Sequence, residues 1–206
     1  RVTGSAFNRR WHLSDGTVQT NPRQVSQEQL LCPAGPVDDE LIAAGLWDTH
    51  GDLLGTVVNF TCHTTFMTGS AFSADYPGAL EQAIGVPTVF FNGAMGDINQ
   101  IDFTAPDNRT SYFGPEAMSR AVAHLSAGVH SVLDSVQRNA SPLFNATSQT
   151  VQMALRGPEH EELLNARELY KLEDEWSQER VYARELVLLD EMLHTAGGSA
   201  DCEIQA

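Results

Sequence analysis

A histidine, a carboxylate, an amide and an arginine stand where they could do chemistry. His63 lies in the run NFTCHTT, at the end of an apolar stretch that reads as a strand. A neutral imidazole held there suits a zinc ligand, because the strand fixes the direction of the ring. Taken alone, a strand-end histidine is more often a structural residue. Further on, the glycine-rich run NGAMGDINQ carries Asp97 and Asn99. Its backbone N–H groups could face an anion, and the local alternative is a tight turn needing Gly at positive φ. It lacks the Lys and Ser/Thr of a phosphate-binding loop, which argues against a nucleotide. Asp97 and Asn99 would share a mouth with His63 if their two strands are neighbours. Arg9 and Arg10 in FNRRW could grip a carboxylate or polar head group, or form an exposed salt-bridging pair. Asp75, ahead of Tyr76 and Pro77, could orient a ligand or cap the next helix, and local signals favour the cap.

The other histidines add no ligand set. His124 and His130 face different sides of a helical pattern. His160 opens HEELL, without the second His of the zinc-protease helix motif. His50 sits in a turn signal, and His12 follows the arginine pair. A zinc site on His63 therefore takes most of its ligands from outside these 206 residues.

Periodicity gives the elements that position these groups. Residues 1–36, rich in Gly, Ser, Pro, Asn and Arg, read as a long irregular surface segment. Residues 40–48 and 53–65 read as strands, and the apolar centre at 55–60 suggests a strand covered on both faces. SADYPG leads into a short helix, ALEQAI, ended by Gly85, and VPTVFF follows as a strand buried by composition. Strand, helix and strand with sites at carboxyl ends predict an α/β fold, a mixed β-sheet core with flanking helices. Residues 115–137 read as a helix, with Met118, Val122, Leu125, Val129, Leu133 and Val136 on one face. TSQTVQMALR alternates like a strand. Residues 158–195 form one long helix or two shorter ones, with Leu164, Leu169, Leu172, Trp176, Leu186, Leu189 and Leu193 as the buried stripe and Gly197-Gly198 as the stop. The closing CEIQ reads as a strand with no neighbour after it, expected to leave an open edge. The chain opens on Arg1 in mid-domain sequence, so residues 1–206 read as a single partial domain, an internal piece of a larger one. On that reading the lack of a targeting segment says nothing of the compartment.

Composition excludes some partners. With 42% hydrophobic and 19% charged residues, the chain has the make-up of a globular domain. A net charge of −15 argues against nucleic acid and against anionic membrane surfaces, and reads otherwise as a solvated acidic face. No apolar run approaches the roughly 20 residues that span a bilayer. Cys32, Cys62 and Cys202 are odd in number and widely spaced, which suits neither a zinc pair nor a disulfide framework and leaves one disulfide plus a free thiol open. Sequons occur at Asn59, Asn108, Asn139 and Asn145. Asn59 falls in the presumed buried strand, and the rest would be acceptors only in a secreted eukaryotic protein.

Four runs occur in order: FNRRWHLSDGTVQTNP, PAGPVDDELIAAGLWDTHGDLLGTVVNFTCHTT, SADYPGALEQAIG and VFFNGAMGDINQIDF. Together they resemble the N-terminal catalytic domain of the neutral/alkaline non-lysosomal ceramidase family, closely over residues 1–105 and loosely to the closing EIQA. The resemblance implies zinc-dependent hydrolysis of an amide bond in a ceramide-like lipid. In that family the Zn2+ is held by two His, a Glu and a Tyr. His63 matches the second His; the first would lie before Arg1, and the Glu and Tyr after Ala206. Arg9 matches the Arg of an NRSP-like motif near the substrate, here NRRW. GDINQ stands in place of GDVSP, so Asn99 occupies the position of a Ser needed for catalysis, with Asp97 beside it. Both departures resemble a sister group of ceramidase-like proteins. Asn can donate to an oxyanion, and zinc hydrolysis needs an activated water and a charge-stabilising group, not strictly a Ser. The resemblance favours a secreted protein with a small lipid or amide substrate. The second reading is a non-catalytic relative that binds a polar lipid or sugar.

Overall fold

Short strands begin almost at once. Phe7–Asn8 (β1), Arg10–Leu13 (β2), Val18–Thr20 (β3) and Leu30–Pro33 (β4) follow one another, with a tight helical turn at Gln27–Gln29. The computed structural model describes residues 1–105, 112–143, 145–171 and 177–205. β2 lies between β3 and β4, antiparallel to both. Residues 1–36, expected to be irregular, thus hold a small three-stranded sheet. Trp11 and Leu13 alternate inward from β2 and pack on Ile101 and Phe103. A period of two is hardly readable in strands this short.

The chain is α/β. Ile42–Trp47 (β5) and Leu53–Phe60 (β6) form an antiparallel hairpin. Asp75–Ile84 (α1) then crosses over to Thr88–Asn92 (β7), which runs parallel to β6. Ile98–Asn99 (β8) pairs with β1, and Gly114–Ser135 (α2) follows. Val58 and Phe60 of β6 face Leu80 and Ile84 of α1 and Val122, Leu125 and Val129 of α2. Each large side chain removed from water there contributes roughly 1.5–3 kcal/mol. Tyr76 sits edge-on between Phe66 (5.7 Å) and Phe90 (5.3 Å).

The other face of this sheet differs from expectation. Register puts Ile42, Asn59 and Phe91 in one row and Ala44, Val57 and Val89 in the next. Ile42, Leu46, Val89 and Phe91 are exposed, Phe91 by 57%. β6 is therefore buried on one face and half-covered on the other, and the VPTVFF strand turns two large side chains outward. Apolar composition records what a residue is, not what lies over it.

The described residues divide into two compact units, Arg1–Arg138 and Asn139–Ala206. The second holds Ser148–Ala154 (β9), His160–Leu169 (α3), Gln178–Ala196 (α4) and Ser199–Gln205 (β10). Two helices form here rather than one. Glu159 and Glu162 make a capping box at the start of α3, and the Ser177 hydroxyl accepts from the Arg180 N–H at the start of α4. Gly197, at φ 65°, closes α4. β10 pairs antiparallel with β9 from Ser199↔Ala154 to Gln205↔Ser148. The CEIQ strand, expected to have no neighbour, is thus paired with β9 along one edge, because the helical hairpin returns the chain to β9. Of the expected stripe, Leu186, Leu189 and Leu193 are half-buried, Leu164 and Leu169 are exposed, and Leu172 and Trp176 lie outside the described residues. Among the described side chains of the pair, Ala166 and Ala183 are the buried ones.

Cys32, Cys62 and Cys202 are all free thiols. Asn139 and Asn145 are exposed, Asn59 is half-buried, and Asn108 lies outside the described residues. Among the described residues no helix is long and apolar enough to cross a membrane.

Candidate functional site

β6 and β7 are parallel neighbours, so their carboxyl ends open on the same edge. The segments leaving them lie tightly together. The Gly93 N–H donates to the Phe60 carbonyl (3.2 Å), and a Cβ at Gly93 would run into the Thr61 side chain. With its amide nitrogen turned toward β6, Asn92 donates to the carbonyls of Phe60 (3.2 Å) and Cys62 (2.8 Å).

Residues 96–100 are then held one by one. The Arg9 guanidinium donates through Nη2 to the Gly96 carbonyl (2.7 Å). The Arg9 N–H donates to the Asp97 carbonyl (2.7 Å), and Asn8 Nδ2 donates to the Asp97 carboxylate (2.7 Å). Asn99 donates to Asn21 Oδ1 (3.0 Å) and accepts from the Ile101 N–H (3.0 Å). Gln100 donates to the Thr65 carbonyl (2.9 Å) and accepts from the Thr65 hydroxyl (3.0 Å).

His63 completes the set. Its backbone N–H (3.1 Å) and its ring Nδ1 (2.9 Å) both meet the Ile98 carbonyl. A carbonyl only accepts, so a ring hydrogen sits on Nδ1, and in the neutral ring Nε2 is the atom with the lone pair. This is the arrangement by which a backbone carbonyl orients a metal-binding or basic imidazole. The ring is half-buried.

β6 and β7 are neighbours, the condition for a mouth shared by His63, Asp97 and Asn99, and His63 and Arg9 each bond to the backbone of residues 96–98. The side chains of His63, Asp97, Asn99 and Arg9 do not bond one another among the described residues. Asn99 is only 5% exposed, and one of its amide N–H groups has no partner among the described residues. Arg9 keeps a buried Nε with no partner among the described residues, and neither Arg9 nor Arg10 forms an ion pair there. Sequence reading missed Asn8 and Asn21. Asn21 holds φ at +52°, a conformation that Asn tolerates better than most residues. The pair Asn21-Pro22 was its only sequence signal.

Asp75 turns out to be a structural clasp. It is 7% exposed, at φ +52°. One carboxylate oxygen accepts from the Tyr76 N–H (2.8 Å) at the start of α1, the other from the Met67 N–H (2.7 Å). Whichever way the amide of an Asp75→Asn variant turned, its NH2 group would face one of these donors. We expect a loss of about 2 kcal/mol of stability, measured by urea unfolding; an unchanged midpoint would show that the clasp is dispensable. Behind it, burial pushes the Cys62 thiol up to about 12, helped by the charge of Asp75. Burial, then Cys62 and Asp75, also raise Tyr76, whose hydroxyl donates to the Cys62 carbonyl (3.1 Å). Cys62 beside His63 is thus a protonated core thiol and not a nucleophile.

No family model matches the chain, and no curated protein matches it. Among solved structures it is similar to neutral ceramidase from Pseudomonas aeruginosa, with 14% identity and a TM-score of 0.43 over 58% of this chain. The matched part is 20% of that protein, so the chain spans about a fifth of its length.

Proposed function

We propose that this chain supplies part of the active site of a zinc-dependent amide hydrolase acting on a ceramide-like N-acyl lipid. The observation that carries the reading is the His63 ring, which gives Nδ1–H to the Ile98 carbonyl and leaves Nε2 as a donor atom at the strand ends. That donor set suits one position of a zinc site. Among the described residues no group of three His, Cys, Asp or Glu could hold an ion, so His63 stands as one ligand and the rest come from elsewhere. Such an ion would supply activation of water for hydrolysis of the amide to a carboxylic acid and an amine. Arg9 positions residues 96–97 by its two bonds and has donors to spare for a substrate oxygen. The Asn99 N–H without a partner among the described residues is a donor for the developing oxyanion. Asp97, fixed by Asn8, orients the loop between them.

The test is metal removal from the protein that carries this chain, assayed on an N-acylsphingosine. Chelation should abolish hydrolysis and stoichiometric zinc should restore it. Hydrolysis that survives chelation would overturn the zinc assignment. Zinc-loaded protein that binds the lipid without cleaving it would favour the second reading, a non-catalytic lipid binder. The lack of a three-ligand group among the described residues is what keeps that second reading in play.

A further inference from the structure

Two asparagines far apart in sequence meet at β8, and the backbone orders their amides. The Ile101 N–H can only donate, and it gives its hydrogen to Asn99 Oδ1 (3.0 Å). That fixes which end of the Asn99 amide is oxygen, and its nitrogen is the atom turned to Asn21. The nitrogen donates to Asn21 Oδ1 (3.0 Å), which orients the second amide in turn. Asn99 is thus held at both ends of one planar group, by Ile101 at its oxygen and by Asn21 at its nitrogen.

Asn21 stands where a side chain seldom stays. Its φ is +52°, and the proline that follows, Pro22, pushes the preceding residue toward extended backbone. The position is therefore strained on two counts, and Gly would relieve the first of them. What over-determines it is bonding on either side. The Asn21 N–H donates to the Arg9 carbonyl (2.7 Å), and its carbonyl accepts from the Arg23 N–H (2.6 Å). Pro22 is fully buried beside it. Arg9 in turn bonds the carbonyls of Gly96 and Asp97, so the bonds that place Asn21 run through Arg9 to the segment that carries Asn99. Strain kept at a residue whose side chain aims another points to a use for that aim.

We propose that Asn21 is the positioning residue of Asn99, holding its amide so that the second N–H is presented to the substrate oxygen. This role rests on the hydrolase reading above, in which that N–H meets the developing oxyanion. A donor of that kind counts only if it is aimed before the reaction begins. Without Asn21 the Asn99 amide keeps one bond, from Ile101, and can swing about it.

The experiment makes Asn21→Gly with and without Asn99→Ala, in the zinc-loaded protein that carries this chain, and measures turnover of an N-acylsphingosine. Asn21→Gly should lower kcat by about tenfold or more and leave KM within about twofold, as expected for a contact that matters in the transition state. Its urea midpoint should stay close to that of the wild type, because the relaxed backbone offsets the lost bond. In the Asn99→Ala background the same substitution should change kcat by no more than about twofold, since nothing is left to aim. By NMR, the Asn99 side-chain amide protons should exchange slowly with water in the wild type and in Asn21→Asp, which keeps the acceptor oxygen, and fast in Asn21→Gly. Turnover untouched by Asn21→Gly would overturn this role alone. So would an equal loss with and without Asn99, a loss confined to KM, or exchange that Asn21→Gly leaves slow. A zinc-loaded wild type that hydrolyses nothing would overturn the hydrolase reading, and this role with it.

Discussion

On the proposed zinc-hydrolase reading, replacing His63 by alanine should lower zinc content and amide hydrolysis by on the order of a hundredfold or more, and leave the fold nearly as stable as before. The first half follows from ligand count. A four-coordinate site that loses one imidazole loses most of its affinity, since even the groups that orient ligands cost about 10–100-fold when removed. The second half follows from the local geometry. The Ile98 carbonyl takes two bonds from His63, and the backbone one at 3.1 Å survives the substitution. Only the ring bond is lost, from a half-buried side chain, at a net cost of about 1 kcal/mol. Zinc stoichiometry, turnover and urea unfolding, read on the same preparation, separate the two effects. Full zinc with full turnover in His63→Ala would remove the residue from the site. A midpoint that collapses along with the zinc would show that the ring holds the fold.

Raising the pH from about 8 to about 11 destabilises the protein, and Cys62 accounts for a resolvable share. In the folded chain its thiol is pushed up to about 12, first by burial and then by the charge of Asp75. In the unfolded chain it returns to the ordinary thiol range near 8.5. Below that range both states hold the proton and pH does not matter. Between the two values the unfolded chain has released its proton and the folded chain has not, so stability falls as pH rises. At about 1.4 kcal/mol per unit, the window to about 12 is worth up to roughly 5 kcal/mol. Tyr76 acts with the same sign, raised by burial and by the same two neighbours. Unfolding in urea at a series of alkaline pH values measures the slope. Cys62→Ala opens a small cavity and lowers stability at every pH, yet its slope should be shallower by up to one proton. Equal slopes in the two proteins would show that the thiol does not set the alkaline limit.

How much of this was legible in the sequence depended on the range over which each signal acts. The β6–α1–β7 crossover was readable because apolar runs, a helix and Gly85 punctuate it within a short span. That His63 would lie beside the segment carrying Asp97 and Asn99 followed once those strands were neighbours, and His63 bonds the Ile98 carbonyl between them. The grip on residues 96–100 was not readable, because Asn8 and Asn21 reach it from far along the chain and nothing in their local sequence points there. The small sheet in residues 1–36 was hidden by brevity, since strands of two to four residues show no period. Asp75 illustrates a role divided between levels. Its contact with Tyr76 N–H is the local, cap-like one, while its hold on Met67 depends on a loop conformation with φ at +52° that no propensity encodes.

The outward rows of the β5–β6–β7 sheet have a practical side. Ile42, Leu46, Val89 and Phe91 form an apolar surface that is present before any unfolding begins. Environment-sensitive dyes, which brighten on meeting apolar surface, will bind this folded chain and give a high starting fluorescence. A dye-monitored melt will therefore show a shallow rise, or even a fall, where the protein loses its structure. Intrinsic fluorescence from Trp11, packed in the small cluster with Ile101 and Phe103, follows the same transition without that background.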